Sequence, residues 1–331
     1  MVEVSVYNLS LERQGILPSF VSMVWEEGYN TEGVFQLECS LTEDNLALLQ
    51  LEWYCGVTDH DTLMVIKSVQ IEDNKIVVNG YPATHIFHDR VSVATVSNMV
   101  AAYAIYELFE VMDPYPCFTL PDDAWDTEVL DEFTAQTSDG TLQEYFETIC
   151  QGCELGFRMV HDKSSKELQL VVYKGEENAN AKFSTKYGNM GDITYTISSV
   201  DYKNVAVVAG AGSGDDRVTV YAGATDTTGS DRREMYIDAR QEQPDEDETD
   251  EEYEAELIAY GEGKLIEQAQ IESIGFEIND DSVSLGDVVF CYIPELGINA
   301  KIRVAAITET YQNNAVLREV TLGTPIILRR Y

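Results

Sequence analysis

The segment from Ser284 to Pro325 constrains the fold of this chain more than any other part of the sequence. Short apolar runs alternate there with turn-forming residues, and none of the runs is long enough for a helix. Short strands broken by Gly, Pro and Asn are typical of a small, strongly curved sheet, so the segment predicts a β-barrel. Such a module forms a rigid ring element more readily than a catalytic cleft. The predicted strands are Val288–Ile293, Lys301–Glu309 and Arg318–Gly323, with turns at Pro294–Gly297 and Asn313-Asn314.

The first part of the chain, residues 1–93, also has a mainly β pattern. The run Phe35–Leu41 alternates apolar and polar residues, which is the period of a half-buried strand. Thr62–Ile71 and Lys75–Gly80 predict a hairpin. A short helix is predicted near Thr42–Gln50, with its threonine as the N-cap. These patterns predict an N-terminal β-barrel domain.

Residues 94–190 differ because helical patterns replace most of the strand patterns. Asp113-Pro114 is expected to end the first helix, since proline cannot continue it. Thr141 and Glu144 have the spacing of a capping box at the start of the second helix. The segment is predicted to be an α+β insert. Its elements are helices over Ser97–Met112 and from Thr141 to a stop at Gly152, and a hairpin of Leu155–Val160 with Leu168–Tyr173.

Residues 191–331 return to strands around one acidic segment. Residues 241–256 hold ten carboxylates and lead into a helix predicted over Asp250–Ala269, with Leu257 and Ile258 among its packing residues. The fold class predicted for the whole chain is α+β and mainly β, with two tube-forming β-barrel domains, 1–93 and 191–331, around the insert. The additional strands predicted here are Ile193–Val200, Asn204–Ala209, Arg217–Ala222, Glu234–Ala239 and Ile274–Ile278.

The charge of the chain excludes one class of function. With 59 acidic and 21 basic residues, the formal net charge is −38. Tight binding to DNA needs a basic patch, and the sequence has none. A DNA-repelling surface would suit a channel through which DNA slides, although solubility in a crowded or saline medium explains the same charge. No run approaches the ~18 apolar residues of a membrane span and the start has no signal segment, so cytoplasmic synthesis without membrane insertion is expected.

The cysteines are predicted to be reduced core residues. Cys150 and Cys153 form a lone C-x-x-C, a spacing found in redox and zinc sites. No second Cys or His pair accompanies it, and Cys150 fits the apolar face of the predicted helix. A core role is therefore favoured over a redox or metal role.

His85 and His88 are three positions apart, and Asp89 follows them. Two imidazoles at this spacing on a helix can share a metal ion, but Pro82 and the β-branched residues that follow weaken a helix here. There is no HExxH motif, and no distant carboxylate can be nominated as a third ligand. A structural or surface role is predicted for the pair.

Two further segments resemble binding loops but fail on their context. Gly210–Gly214 follows a strand as a dinucleotide loop does, yet another strand comes next where a phosphate-binding helix is required. The Asp245–Glu252 run lacks the spacing of an EF-hand, which leaves a solvated charged face or weak divalent binding.

No G-x-S-x-G motif is present, and the four histidines mark no nucleophile. The chain is therefore predicted not to be an enzyme, with no catalytic, cofactor-binding or metal residue and no cofactor.

Three segments carry a resemblance to a known family: Val34–Leu41 with Leu63–Tyr81, Tyr202–Gly210, and Leu285–Gly323. Each pattern is short, and their order is more specific than any one of them. Taken in order, they resemble the hub proteins of the tail tip and baseplate of siphophages. This family is related in fold to the baseplate hub of contractile-tailed phages and to the N-terminal region of the type VI secretion spike.

The resemblance implies a structural protein of the virion tail tip. It implies a homotrimer whose barrels form a collar on the tail tube, with tail-tube and distal tail proteins above and a spike or fibre protein below. DNA would contact it only in transit through the channel. Two other functions stay open: a tail-associated peptidoglycan hydrolase, and a host-surface glycan-binding module, which the 19 tyrosines suggest.

Overall fold

The computed structural model describes residues 2–111, 117–244, 248–278, 282–313 and 315–323. Strands predominate among them, and the predicted mainly β, α+β class is confirmed. Within the described ranges, no helix is long and apolar enough to cross a bilayer. The predicted helix stop at Asp113-Pro114 lies outside them.

Seven strands and one short helix come from the N-terminal part of the chain. Alternate residues of the fourth strand are buried, as its sequence pattern predicts. The helix begins after Thr42, whose hydroxyl accepts a hydrogen bond from the Asn45 backbone N–H, so the predicted N-cap is confirmed. The predicted hairpin is present, and it turns through Asp73 and Asn74, both with positive φ. The elements are β1 (Val4–Tyr7), β2 (Arg13–Leu17), β3 (Ser22–Gly28), β4 (Phe35–Ser40), α1 (Glu43–Leu48), β5 (Tyr54–Val57), β6 (Met64–Glu72) and β7 (Lys75–Pro82).

The middle of the chain contains the two helices that the sequence predicts and the hairpin that follows them. The elements are a 3₁₀ helix (Ala83–Asp89), β8 (Val91–Ser92), β9 (Met99–Val100), α2 (Ala101–Val111), β10 (Phe118–Thr119), a 3₁₀ helix (Ala124–Asp126), β11 (Glu132–Phe133), β12 (Gly140–Thr141), α3 (Leu142–Cys153), β13 (Gly156–Asp162) and β14 (Glu167–Tyr173).

Two predicted helix ends in this region are wrong. The first helix starts at Ala101 instead of Ser97, because the preceding residues pair as β9 with β11. The capping box of Thr141 and Glu144 at the start of α3 is confirmed. However, Gly152 lies inside α3 against Phe133, and the helix ends at Glu154, which adopts the left-handed conformation with φ 56°.

Among the described residues, the last part of the chain contains nine strands and one long helix. Thr249 and Glu252 form a capping box at the start of the helix, where acidic residues favour the positive end of its dipole. Leu257 is buried, whereas Ile258 is exposed and does not pack as predicted. The elements are β15 (Glu177–Ser184), β16 (Thr194–Ser198), β17 (Val205–Ala209), 3₁₀ helix (Gly214–Asp216), β18 (Thr219–Gly223), 3₁₀ helix (Gly229–Asp231), β19 (Glu234–Asp238), α4 (Asp250–Ile266), β20 (Ile271–Ile278), β21 (Val288–Ile293), 3₁₀ helix (Pro294–Leu296), β22 (Ile298–Gln312) and β23 (Ala315–Gly323).

The N-terminal and C-terminal strands belong to one hydrogen-bonded sheet. Its strand order is β16-β20-β23-β22-β3-β4-β7-β6-β5-β1-β2, and β21 joins β22 and carries β15. The 15-residue strand β22 links the two halves, since it pairs antiparallel with β3 from Ala306↔Gly28 to Gln312↔Ser22. A separate three-stranded sheet, β18-β17-β19, packs on α4.

The apolar core formed by the described residues is divided into four clusters. One lies between α2, α3 and the β13–β14 hairpin, and Phe87 and Tyr54 from the N-terminal part also enter it. A second fills the N-terminal sheet and includes Tyr311 of β22. The third lies under β20–β23, and the fourth lies under α4. The domain boundaries at 93/94 and 190/191 stay a prediction.

Candidate functional site

Tyr29, just after β3, occupies the point where the N-terminal part of the chain meets the middle part. The residue is fully buried. Its hydroxyl accepts a hydrogen bond from the Gly175 backbone N–H at 2.8 Å. The same hydroxyl lies 3.1 Å from the Glu154 carbonyl and 3.3 Å from the Tyr173 carbonyl, and it donates its proton between them. One phenol thus satisfies backbone groups at the end of α3 and the end of β14.

The ring of Tyr29 fits between two glycines. A Cβ at either Gly156 or Gly286 would clash with ring atoms of Tyr29. Gly286 also has φ +89°, a conformation that other residues adopt only with strain. The aromatic side chain therefore requires glycine at both positions, one from the middle of the chain and one from the C-terminal part.

Arg303 of β22 completes this contact from the C-terminal part. Its side chain is buried, and its Nη1 donates to the Gly286 carbonyl at 2.8 Å. Its Nη2 lies 3.1 Å from Oε2 of Glu154, the residue that ends α3. The guanidinium carbon is 5.0 Å from the ring centroid of Tyr29, within cation–π range. We call Tyr29, Glu154, Gly156, Gly286 and Arg303 the Tyr29 junction, because all three parts of the chain meet there.

A charged group crosses the β3–β22 pairing at another point. The two ring nitrogens of His60 lie 3.3 Å from Glu27 of β3 and 3.0 Å from Glu309 of β22. Tyr311 approaches His60 to 3.2 Å and donates its own hydroxyl proton to Glu309. The imidazole also packs on Trp25, with 4.8 Å between ring centroids. We call Glu27, His60, Glu309 and Tyr311 the His60 cluster.

The electrostatics of the His60 cluster favour a charged imidazole. Burial lowers the pKa of His60, but its hydrogen bonds to Glu27 and Glu309 outweigh burial and raise the pKa to about 9. For Glu27 and Glu309, burial raises the pKa, yet the bonds to His60 bring both values below the ordinary range. The cluster therefore holds an imidazolium between two carboxylates and ties β3 to β22.

His85 and His88 lie on the 3₁₀ helix Ala83–Asp89, and the structure brings Glu32 to them. Glu32 is in the β3–β4 loop; its Oε1 is 2.6 Å from Nδ1 of His85, and its Oε2 is 3.6 Å from Nε2 of His88. Tyr81 stacks on His85, with 4.3 Å between centroids and 8° between planes. Glu32 is therefore the distant carboxylate near the two histidines that could not be identified from the sequence.

The C-x-x-C pair lies on α3 without a redox environment. All six cysteines are free. Burial raises the pKa of Cys150 well above its ordinary value and that of Cys153 to about 11. Reactive cysteines need the opposite shift, because the thiolate is the nucleophile. Core placement holds for Cys150, whereas Cys153 and Cys117 are only partly buried.

The Gly210–Gly214 loop and the Asp245–Glu252 run, which resemble binding segments in sequence, adjoin α4. Gly210–Gly214 lies between β17 and β18, as the sequence predicts, and no α-helix follows it there. The next strand begins at Thr219, because Gly214–Asp216 forms a 3₁₀ turn where the sequence predicts a strand. The hydroxyl of Tyr253 in α4 accepts from the Ala211 N–H at 2.7 Å, which ties this loop to the helix. Of the acidic run, residues 245–247 lie outside the described residues, and Asp250, Glu251 and Glu252 form the first turn of α4.

Sequence reasoning missed the residues that the structure places together. Tyr29, Glu32, His60 and Arg303 stand in no motif, and their partners are distant along the chain. The only local signal is Gly28, next to Tyr29, which indicates close packing at the end of a strand. The remaining contacts depend on the pairing of β3 with β22.

Similar proteins agree with this architecture. The family model of the siphovirus ReqiPepy6 Gp37-like protein matches residues 3–105 and 129–324. No curated protein is similar enough in sequence to be matched.

Three crystal structures of tail proteins have similar folds over almost their whole length. The 43 kDa tail protein of prophage MuSo2 from Shewanella oneidensis has a TM-score of 0.58 at 10% identity, covering 97% of this chain and 98% of that one. A tail protein from Neisseria meningitidis MC58 has a TM-score of 0.59 at 12% identity, covering 98% of this chain and 97% of that one. Prophage tail protein gp18 from Listeria monocytogenes EGD-e has a TM-score of 0.54 at 11% identity, covering 97% of this chain and 94% of that one. The chain therefore belongs to the siphovirus ReqiPepy6 Gp37-like protein family and has the fold of phage tail proteins.

Proposed function

We propose that this protein is a structural hub of the tail tip, which joins the tail tube to the distal tip of the virion. The observation that carries the proposal is the single sheet in which β22 pairs with β3, in a chain with the fold of phage tail proteins. That pairing ties the two predicted barrel regions, 1–93 and 191–331, into one unit. The Tyr29 junction and the His60 cluster reinforce the same connection, as a load-transmitting ring element requires.

The hub is proposed to act as a homotrimer. A tail tube has hexameric rings, and two similar barrels in each of three subunits would present six matching positions. Tail-tube and distal tail proteins would bind one side of this ring, and a spike or fibre protein would bind the other.

The experiment that tests the proposal combines mass and location. Light scattering on the full chain is expected to give three times the 37.1 kDa of one subunit, and with an added tail-tube ring the mass is expected to rise above that of the ring by the same amount. Electron microscopy of virions is expected to show three copies at the tail tip. A chain that stays monomeric with the tube protein and is missing from purified tails would contradict the proposal.

The proposed channel predicts an effect of charge on genome ejection. Replacing several lumen-facing acidic residues with Lys is expected to slow ejection severalfold, because a basic wall attracts the DNA backbone. The same number of replacements on the outer surface serves as the control. Ejection followed by a DNA-binding dye, with tail assembly checked by microscopy, measures the effect. Unchanged ejection kinetics would count against the proposal that this protein lines the channel for DNA.

We propose a structural role and no enzymatic one. The fold is shared with tail proteins, and the C-x-x-C thiols are held in their neutral form. Incubation of the purified chain with bacterial cell walls is expected to leave their turbidity unchanged. A steady loss of turbidity would instead support a peptidoglycan hydrolase.

A further inference from the structure

We propose that Glu32, His85 and His88 form a binding site for a divalent transition-metal ion, with Zn²⁺ as the natural occupant. We call these three residues the His85 cluster. Their ligand atoms all lie within 4.8 Å of one another. The proposed ion would fasten the β3–β4 loop to the 3₁₀ helix Ala83–Asp89.

The distances suit a tetrahedral ion with small adjustments. Zinc binds histidine nitrogen and carboxylate oxygen at about 2.0–2.2 Å, which places two ligand atoms about 3.4 Å apart in a tetrahedral site. The Glu32–His85 contact through Oε1 is 2.6 Å and the Glu32–His88 contact through Oε2 is 3.6 Å, and one ligand atom from each of the three residues lies within 4.8 Å of the other two. Rotation of the Glu32 carboxylate and small ring movements would bring the three donors around one ion.

The 3₁₀ geometry brings the two histidines together. In a 3₁₀ helix, with three residues per turn, the side chains at i and i+3 lie directly above one another. His85 and His88 have this spacing, and their ring centroids are 5.0 Å apart. Stacking on Tyr81 also restrains the His85 ring. The sequence argued against an α-helix at this position, but the 3₁₀ helix aligns the two histidines without one.

The loop that carries Glu32 is held in place by α3. The Gln151 side-chain amide donates to the Asn30 carbonyl at 3.4 Å. Tyr29 anchors the start of the same loop in the core. The carboxylate is thus presented to the histidines by a fixed backbone, which reduces the ordering cost of binding an ion.

The donor set selects the class of ion. Two imidazoles and one carboxylate suit Zn²⁺ and related first-row ions, whereas Mg²⁺ and Ca²⁺ prefer oxygen ligands only. The cluster is only partly buried, and the three ligands leave a fourth position for water or for a side chain of a neighbouring tail protein. The inference concerns this chain alone and does not depend on the proposed hub function.

The test is a Zn²⁺ titration of the metal-stripped full chain against a chromophoric chelator. Millimolar Mg²⁺ is included to saturate the acidic surface. One Zn²⁺ is expected to bind per chain, and His88→Gln, which alters the most exposed ligand, is expected to weaken binding by at least ~100-fold. Co²⁺ is expected to give the visible absorption of a low-coordinate site, and that signal should disappear in the same variant.

Two controls separate this site from other binding. Cys153→Ser removes the accessible thiol of the C-x-x-C pair and is expected to leave Zn²⁺ affinity unchanged. In the unaltered chain, Zn²⁺ should protect His85 and His88 from modification by diethyl pyrocarbonate, a measurement that needs no substituted protein. Equal affinity in a His85→Gln/His88→Gln double variant, loss of binding in Cys153→Ser, or absence of histidine protection would each overturn the proposal.

Discussion

Replacing Tyr29 with alanine is expected to lower the free energy of unfolding by about 3–5 kcal/mol, the range for truncating a large buried aromatic side chain. The phenol fills the space between Gly156 and Gly286 and satisfies backbone groups of the middle part of the chain. Its loss would leave both a cavity and unpaired polar atoms. Urea denaturation followed by tryptophan fluorescence measures the change.

Two variants show which property of Tyr29 matters. Tyr29→Phe retains the ring and removes the hydroxyl, so a smaller loss of about 1–3 kcal/mol is expected from the unpaired Gly175 N–H. Tyr221→Ala removes an exposed tyrosine of β18 and is expected to change stability by no more than about 0.5 kcal/mol. Equal effects of Tyr29→Ala and Tyr221→Ala would show that the junction does not hold the chain together.

Stability is expected to fall by about 3 kcal/mol between pH 6.5 and pH 9 through the His60 cluster. His60 has a folded-state pKa of about 9, above its ordinary 6.5, so folding favours the protonated form. The contribution is complete below pH 6.5, where both folded and unfolded chains bind the proton. It is lost as pH rises through 9, and well above that pH neither the folded nor the unfolded chain binds the proton.

The matched control for this effect is His60→Gln, which retains a polar side chain that does not titrate. The difference in unfolding free energy between the two proteins is expected to shrink from pH 6.5 to pH 9. In the acid direction, Glu27 and Glu309 have pKa values below 4.5 in the folded chain, so their contribution is lost as pH falls below that value. Urea midpoints across this pH range test both directions, and a constant difference between pH 6.5 and 9 would contradict the assignment.

Much of the secondary structure was predictable because its causes are local. The strand β4 alternates buried and exposed side chains, and that period is visible in the sequence. The capping box of Thr141 and Glu144 depends on two residues three positions apart. By contrast, the end of α3 was missed because Glu154 takes a left-handed conformation in place of a glycine, and its side chain meets the buried Arg303.

The candidate sites were less predictable than the elements that carry them. His85 and His88 were recognisable as a pair, but Glu32 lies 53 residues from His85 and has no distinguishing neighbours. His60 and Glu309 are 249 residues apart, and nothing near either residue indicates the other. A buried charge finds its partner through the packing of whole elements, which a local pattern does not encode.

The sequence alone determined the mainly β class, the position of most strands and the N-terminal caps of α1 and α3, because each follows from spacing within a few residues. The order of three short segments carried the resemblance to phage tail proteins. Only the tertiary structure decided that β22 pairs with β3, that Tyr29 lies between two distant glycines, and that a carboxylate reaches the His85 cluster. The physical reason is that pairing between distant strands is selected by burial and hydrogen bonding over the whole sheet. Contacts across that pairing exist only after the sheet has formed.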